Sequence, residues 1–132
     1  MPTKAGRLTR QTQRYLGFAA ADYIGLTSTQ QARVFGVVGR RGNHLAGVKR
    51  RLRSRTSVDD YHRLKYLMEI AASLRILLKT QERAGKWMNQ LNMDFDNKSP
   101  KEMIVPGYLP DMRRVAHRLE TLVKAKTKKR VR

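Results

Sequence analysis

Between Ser57 and Lys79 the chain carries an apolar helical pattern with no clean polar side. Tyr61, Leu64, Met68, Ala71, Leu74 and Leu78 recur at steps of three and four, the spacing of one helix face. Ile70, Ile76 and Leu77 lie off that stripe. A helix that is apolar on two sides belongs at the centre of a fold, so the other elements must pack around it. Ser57-Val58-Asp59-Asp60 opens it, with acids that complement the positive end of a helix.

The flanking segments also read as helices, and no run of alternating β-branched residues competes with them. Tyr15, Leu16, Ala19, Ala20 and Tyr23 mark a first helix over residues 9–23, closed by Gly25. Thr27-Ser28-Thr29-Gln30 resembles a capping box, and Ala32, Phe35 and Val38 mark a short second helix over 30–38. Gly39-Arg40-Arg41-Gly42 breaks it. Asn43 then caps a third helix over 44–53, with Leu45, Val48 and Leu52 on one face.

After the central helix, Ala84, Trp87, Met88 and Leu91 share a face of a helix over 81–91, and polar residues 92–98 form a loop. Ser99-Pro100-Lys101-Glu102 combines an N-cap, a proline at the first helical position and a reciprocal glutamate. Pro106-Gly107 stops that helix, and Pro110 opens a last one bearing Met112, Val115, Ala116, Leu119 and Leu122. The expected fold is all-α: an N-terminal helix-turn-helix and a small C-terminal helical module that share the long central helix. The expected divisions are an N-terminal helix and basic arm (1–26), helix-turn-helix with central helix (27–80), C-terminal module (81–123) and a mobile basic tail (124–132).

Charge follows these divisions. The 132 residues include 29 Lys and Arg against 10 Asp and Glu, net +19. Residues 1–56 hold 12 basic side chains and one acid, Asp22, whereas 57–98 are nearly neutral and 99–132 are again basic. Such a charge opposes compaction unless a polyanion neutralises it, which points to nucleic acid. There is no cysteine, so disulfides and thiolate chemistry are excluded. No apolar run approaches a membrane span and the N-terminus lacks a leader pattern, so the expected location is cytoplasmic, away from membranes.

Catalysis has little to stand on. His44, His62 and His117 are far apart and in no ligand spacing. Gly36-x-x-Gly39-x-x-Gly42 follows a helix and differs in spacing from a dinucleotide fingerprint. Asp94 and Asp96 lack the glycine turn and closing glutamate of a calcium loop. The expectation is a protein that is not an enzyme and needs no cofactor and no metal.

DNA binding has a more specific case. Two short helices joined by a Gly-bounded turn have helix-turn-helix proportions. Arg40 and Arg41 in the turn, with Asn43 and His44 at the start of the second helix, would then face base edges. Lys49, Arg50, Arg51 and Arg53 would sit nearer phosphates, where they add affinity without sequence information. No acid occurs from Tyr23 to Val58, unlike the mixed signs of an ordinary solvated face. RNA is less favoured, because Phe18 and Phe35 read as core and leave few aromatics for base stacking.

From Trp87 onward the ordered set Trp87, Asn92, Phe95, Pro100-Lys101-Glu102, Gly107, Val115 and Leu119 resembles the toxin-binding domain of the Xre/MbcA/ParS-type antitoxins. That family also places a helix-turn-helix ending in an Arg-rich helix, then a long apolar helix, upstream. The resemblance implies a protein that blocks a cognate RES-domain toxin, an NAD-consuming enzyme, and represses its own operon at operator DNA. It makes Trp87, Phe95, Pro100, Gly107, Val115 and Leu119 module-defining core, and leaves Asn89, Asn92, Asp94, Asp96 and Tyr108 as candidate toxin contacts. A homodimer reading two half-sites is expected. The alternative is a stand-alone basic DNA-binding or architectural protein with no toxin partner.

Overall fold

In the computed structural model, which describes residues 9–36 and 44–131, local capping chemistry sets most helix starts. Thr9 accepts from the Thr12 N–H and opens α1 (Arg10–Tyr23). Thr27 and Gln30 exchange both bonds of a capping box at the start of α2 (Ser28–Val34). α3 spans His44–Ser54. Ser57 caps α4 (Val58–Leu78) and Thr80 caps α5 (Gln81–Asn89). A 3-10 turn at Met93–Phe95 leads to α6 (Pro100–Ile104), whose box pairs Ser99 with Glu102, and then to α7 (Leu109–Val131). Each such cap is worth about 1 kcal/mol. Among the described residues the protein is all-α.

The central position of α4 is as expected. Leu64, Leu67, Ile70 and Leu74 are fully buried, and the helix packs on α1, α5 and α7. One continuous hydrophobic cluster runs from Phe18 to Leu119, so the N-terminal helices and the C-terminal module share a single core.

Tyr61 and Ile76, expected on the apolar sides of α4, are instead 49% and 51% exposed. Four further details differ from the sequence reading. First, α1 is rotated. Tyr15 (73%), Leu16 and Ala19 are exposed, whereas Ala20 and half-buried Tyr23 face the core as expected, joined by Gln13, Gly17, Ala21 and Ile24. The cause is Gly17: a Cβ there would lie 2.5 Å from Leu64 Cδ2, so α1 and α4 meet where residue 17 has no side chain. Second, α2 ends at Val34, with Gly36 at φ 89° closing it; Val38 lies outside the described residues. Third, α5 ends at Asn89 because Gln90 turns extended, which leaves Leu91 70% exposed rather than on the buried face. Fourth, the basic tail is helical through Val131. Lys126 Nζ donates to the Ile76 carbonyl (3.0 Å) in the last turn of α4, a cation at the negative end of a helix.

Candidate nucleic-acid interface and partner module

Leu45, Val48 and Leu52 bury one side of α3, so its remaining residues are turned outward. Arg50 and Arg53 are exposed, and neither has an ion-pair partner among the described residues. The Lys49 ammonium lies 5.0 Å over the Phe18 ring. His44 is half-buried at the start of the helix. Arg40, Arg41 and Asn43, the expected base-reading residues beside it, lie outside the described residues.

Arg51 behaves differently from its neighbours. Its guanidinium turns back to donate to Asp60 Oδ2 (3.2 Å) and to the Phe35 carbonyl (3.2 Å). Asp60 is 2% exposed and also receives Arg63 Nη1 at 2.9 Å, while Arg63 Nε donates to the Gly107 carbonyl at 2.9 Å. Gly107 has φ 73°, and a Cβ there would overlap the Val34 carbonyl. One carboxylate therefore links α3, the end of α2, α4 and the α6–α7 turn. The sequence reading took Asp60 as a helix-start acid, which it also is, and had no signal for Arg63.

The C-terminal module is built on Phe95, 1% exposed, which meets the Trp87 ring edge-to-face at 6.4 Å. The surrounding loop is closed by a bridge between Asn92 and Lys98, by Asn92 Oδ1 accepting from the Asp94 N–H (2.8 Å), and by left-handed Asp96 and Asn97. Two arginines of α7 latch it. Arg118 Nε donates to Asp94 Oδ2 at 2.8 Å, and Arg114 donates to the Asp94 carbonyl at 2.9 Å and faces Asp96 at 3.6 Å.

Of the candidate partner contacts, Asn92, Asp94 and Asp96 thus hold the module together. Asn89 donates to the Gly85 carbonyl at an exposed position, and the exposed Tyr108 side chain makes no hydrogen bond among the described residues. Pro100, Gly107, Val115 and Leu119 are buried as expected, and Trp87 is half-buried. The most exposed large hydrophobic side chains of the module are Leu91 and Met93, the latter 87% exposed. Neither is legible in the sequence: the spacing puts Leu91 on a helix face, and Met93 lies in a stretch that reads as a polar loop.

In the α6 box the Ser99 backbone N–H donates to Glu102 Oε1 at 3.0 Å and, as the leading cause, holds the carboxyl below the ordinary glutamate range. An open apolar groove of about 360 Å³ lies between the end of α4, Trp87 and α7, with Lys126 and Lys129 at its rim. Among the described residues no helix is long and apolar enough to cross a membrane. No protein-family model, curated protein or solved structure matches this chain.

Proposed function

We propose that this chain is a DNA-binding regulator with a separate protein-binding module, acting in the manner of the antitoxins that its sequence resembles. One observation carries the nucleic-acid half: α3 turns Arg50 and Arg53 to solvent with no internal acid to neutralise them, on a helix anchored from its other side. Cations fixed on a rigid helix release counterions from phosphates on binding, which gives affinity that falls steeply with salt. Base reading falls to Arg40, Arg41, Asn43 and His44, and two copies reading paired half-sites complete the repressor.

The protein-binding half rests on the ordered Trp87-to-Leu119 pattern, with the exposed Leu91 and Met93 beside Asn89 as the contact surface for a RES-domain toxin. Binding to the DNA upstream of the chain's own gene, followed across salt, tests the first half. Arg50→Gln and Arg53→Gln should each lower the salt slope by about one. Arg41→Ala or Asn43→Ala should weaken that DNA by about 1–3 kcal/mol and random DNA far less. Co-expression with a RES-type toxin encoded beside it tests the second half. If the toxin still depletes NAD and no complex forms, the antitoxin reading fails.

A second reading, a stand-alone basic nucleic-acid-binding protein, is favoured by a specific observation: Asn92, Asp94 and Asp96 are occupied within the module rather than offered to a partner. It predicts equal losses on upstream and random DNA in the same assay.

A further inference from the structure

α1 and α3 leave a cleft of about 380 Å³ between them, within the ~300–1,000 Å³ range of small-ligand sites. Phe18 and Lys49 line it as a cation-π pair. Arg14 and Arg53 line it too, and neither has an ion-pair partner among the described residues. Tyr15 shares the cleft and is 73% exposed. The one acid in the lining, Asp22, already accepts from Gln31 Nε2 at 2.6 Å.

Three cations and one free aromatic face in a single concave site suit a ligand that carries both a phosphate and a flat π-system. We propose that this cleft takes one unpaired nucleotide of a single-stranded nucleic acid, its base on the Tyr15 ring and its phosphate beside Arg14 and Arg53. The inference deepens the nucleic-acid reading above and rests on it for the class of ligand. A duplex hides its base faces inside the stack, so it has no use for an exposed tyrosine ring, whereas an unpaired base does. Phe18 and Phe35 are buried and unavailable for stacking. Tyr15 lies on the side of α1 away from Gly17, which packs against Leu64 of α4.

The test uses the full chain and fluorescence anisotropy with two probes, an oligothymidylate of about 12 nucleotides and a hairpin duplex of similar charge. Tyr15→Ala should weaken oligothymidylate binding about ten-fold, Tyr15→Phe less than about two-fold, and neither should change duplex binding. Arg53→Gln should lower the single-strand salt slope by about 0.7. Photo-crosslinking of an iodouracil-substituted oligomer should map to Tyr15.

The proposal is overturned if Tyr15→Ala binds the oligomer like wild type, or if the duplex loses as much as the single strand. Tyr15→Phe falling as far as Tyr15→Ala would also overturn it, since the hydroxyl and not the ring would be the contact. Oligothymidylate ignored by the wild-type chain removes this site and leaves the duplex reading standing. Duplex ignored while the oligomer follows the predicted pattern does the reverse.

Discussion

Asp60 and Asp94 each bind two arginines, one at the centre of the molecule and one on its flank. Asp60 holds Arg51 and Arg63 with its carboxylate, and its side chain is 3% exposed. Asp94 holds Arg118 with its carboxylate and Arg114 with its carbonyl, and its side chain is 50% exposed. Each carboxylate has a guanidinium partner, and the surroundings differ. A carboxylate removed from water depends on its partners, so losing either side leaves an uncompensated charge. A carboxylate half in water exchanges one solvated partner for another at little cost. The central cluster thus fixes how α2, α3, α4 and the α6–α7 turn meet, while the flanking one holds a loop closed.

The sharpest way to probe the central cluster is Gly107→Ala. It forces a side chain into a left-handed residue and against the Val34 carbonyl. Strain and overlap together should cost about 4 kcal/mol in urea unfolding, the largest effect expected of these variants. Asp60→Asn should follow at about 3 kcal/mol, because Arg63 stays largely buried without its counter-charge. Asp94→Asn, measured the same way, should cost under about 1 kcal/mol. Equal losses at Asp60 and Asp94 would show that burial does not divide the two clusters.

The smallest effect is a pH dependence at an exposed acid outside both clusters. Hydrogen bonding from the Ser99 backbone N–H, then from the Ser99 side chain, lowers the Glu102 pKa in the folded state. A depressed folded pKa stabilises above the unfolded value, and that stabilisation is lost as pH falls through the folded value. Acid unfolding should therefore steepen only below about pH 4.3, the ordinary glutamate value. Glu102→Gln should flatten that part of the curve, with a small loss of stability at neutral pH that closes on wild type as the pH falls. A curve that keeps its slope in the variant would assign it to other carboxyls.

Where the signal was local, the sequence was readable. The Thr27–Gln30 and Ser99–Glu102 boxes each close over three residues, and both form as expected. The face of α1 was misread because its decisive residue is Gly17, which leaves no mark in a count of apolar positions, while Tyr15 does. Leu91 was misread because a helix end displaced by two residues moves a side chain from core to solvent. The basic tail has too few apolar residues to signal packing, yet Lys126 finds the carbonyl end of α4, which no stretch of the tail itself encodes. The candidate site was legible as a region rather than as a set of residues. Arg50 and Arg53 have no ion-pair partner among the described residues, Arg51 has one, and Arg40, Arg41 and Asn43 lie outside the described residues.

By itself the sequence determined the all-helical class, most helix starts, the central place of α4 and the uneven distribution of charge. These depend on periods and caps that span three or four residues, so neighbouring letters contain them. Only the tertiary structure decided which charges remain free. Arg63 reaches Gly107 across 44 residues and Arg118 reaches Asp94 across 24. Pairings of that range depend on how helices approach one another, and here a glycine at the α1–α4 contact and another where the α6–α7 turn meets the end of α2 set the approach.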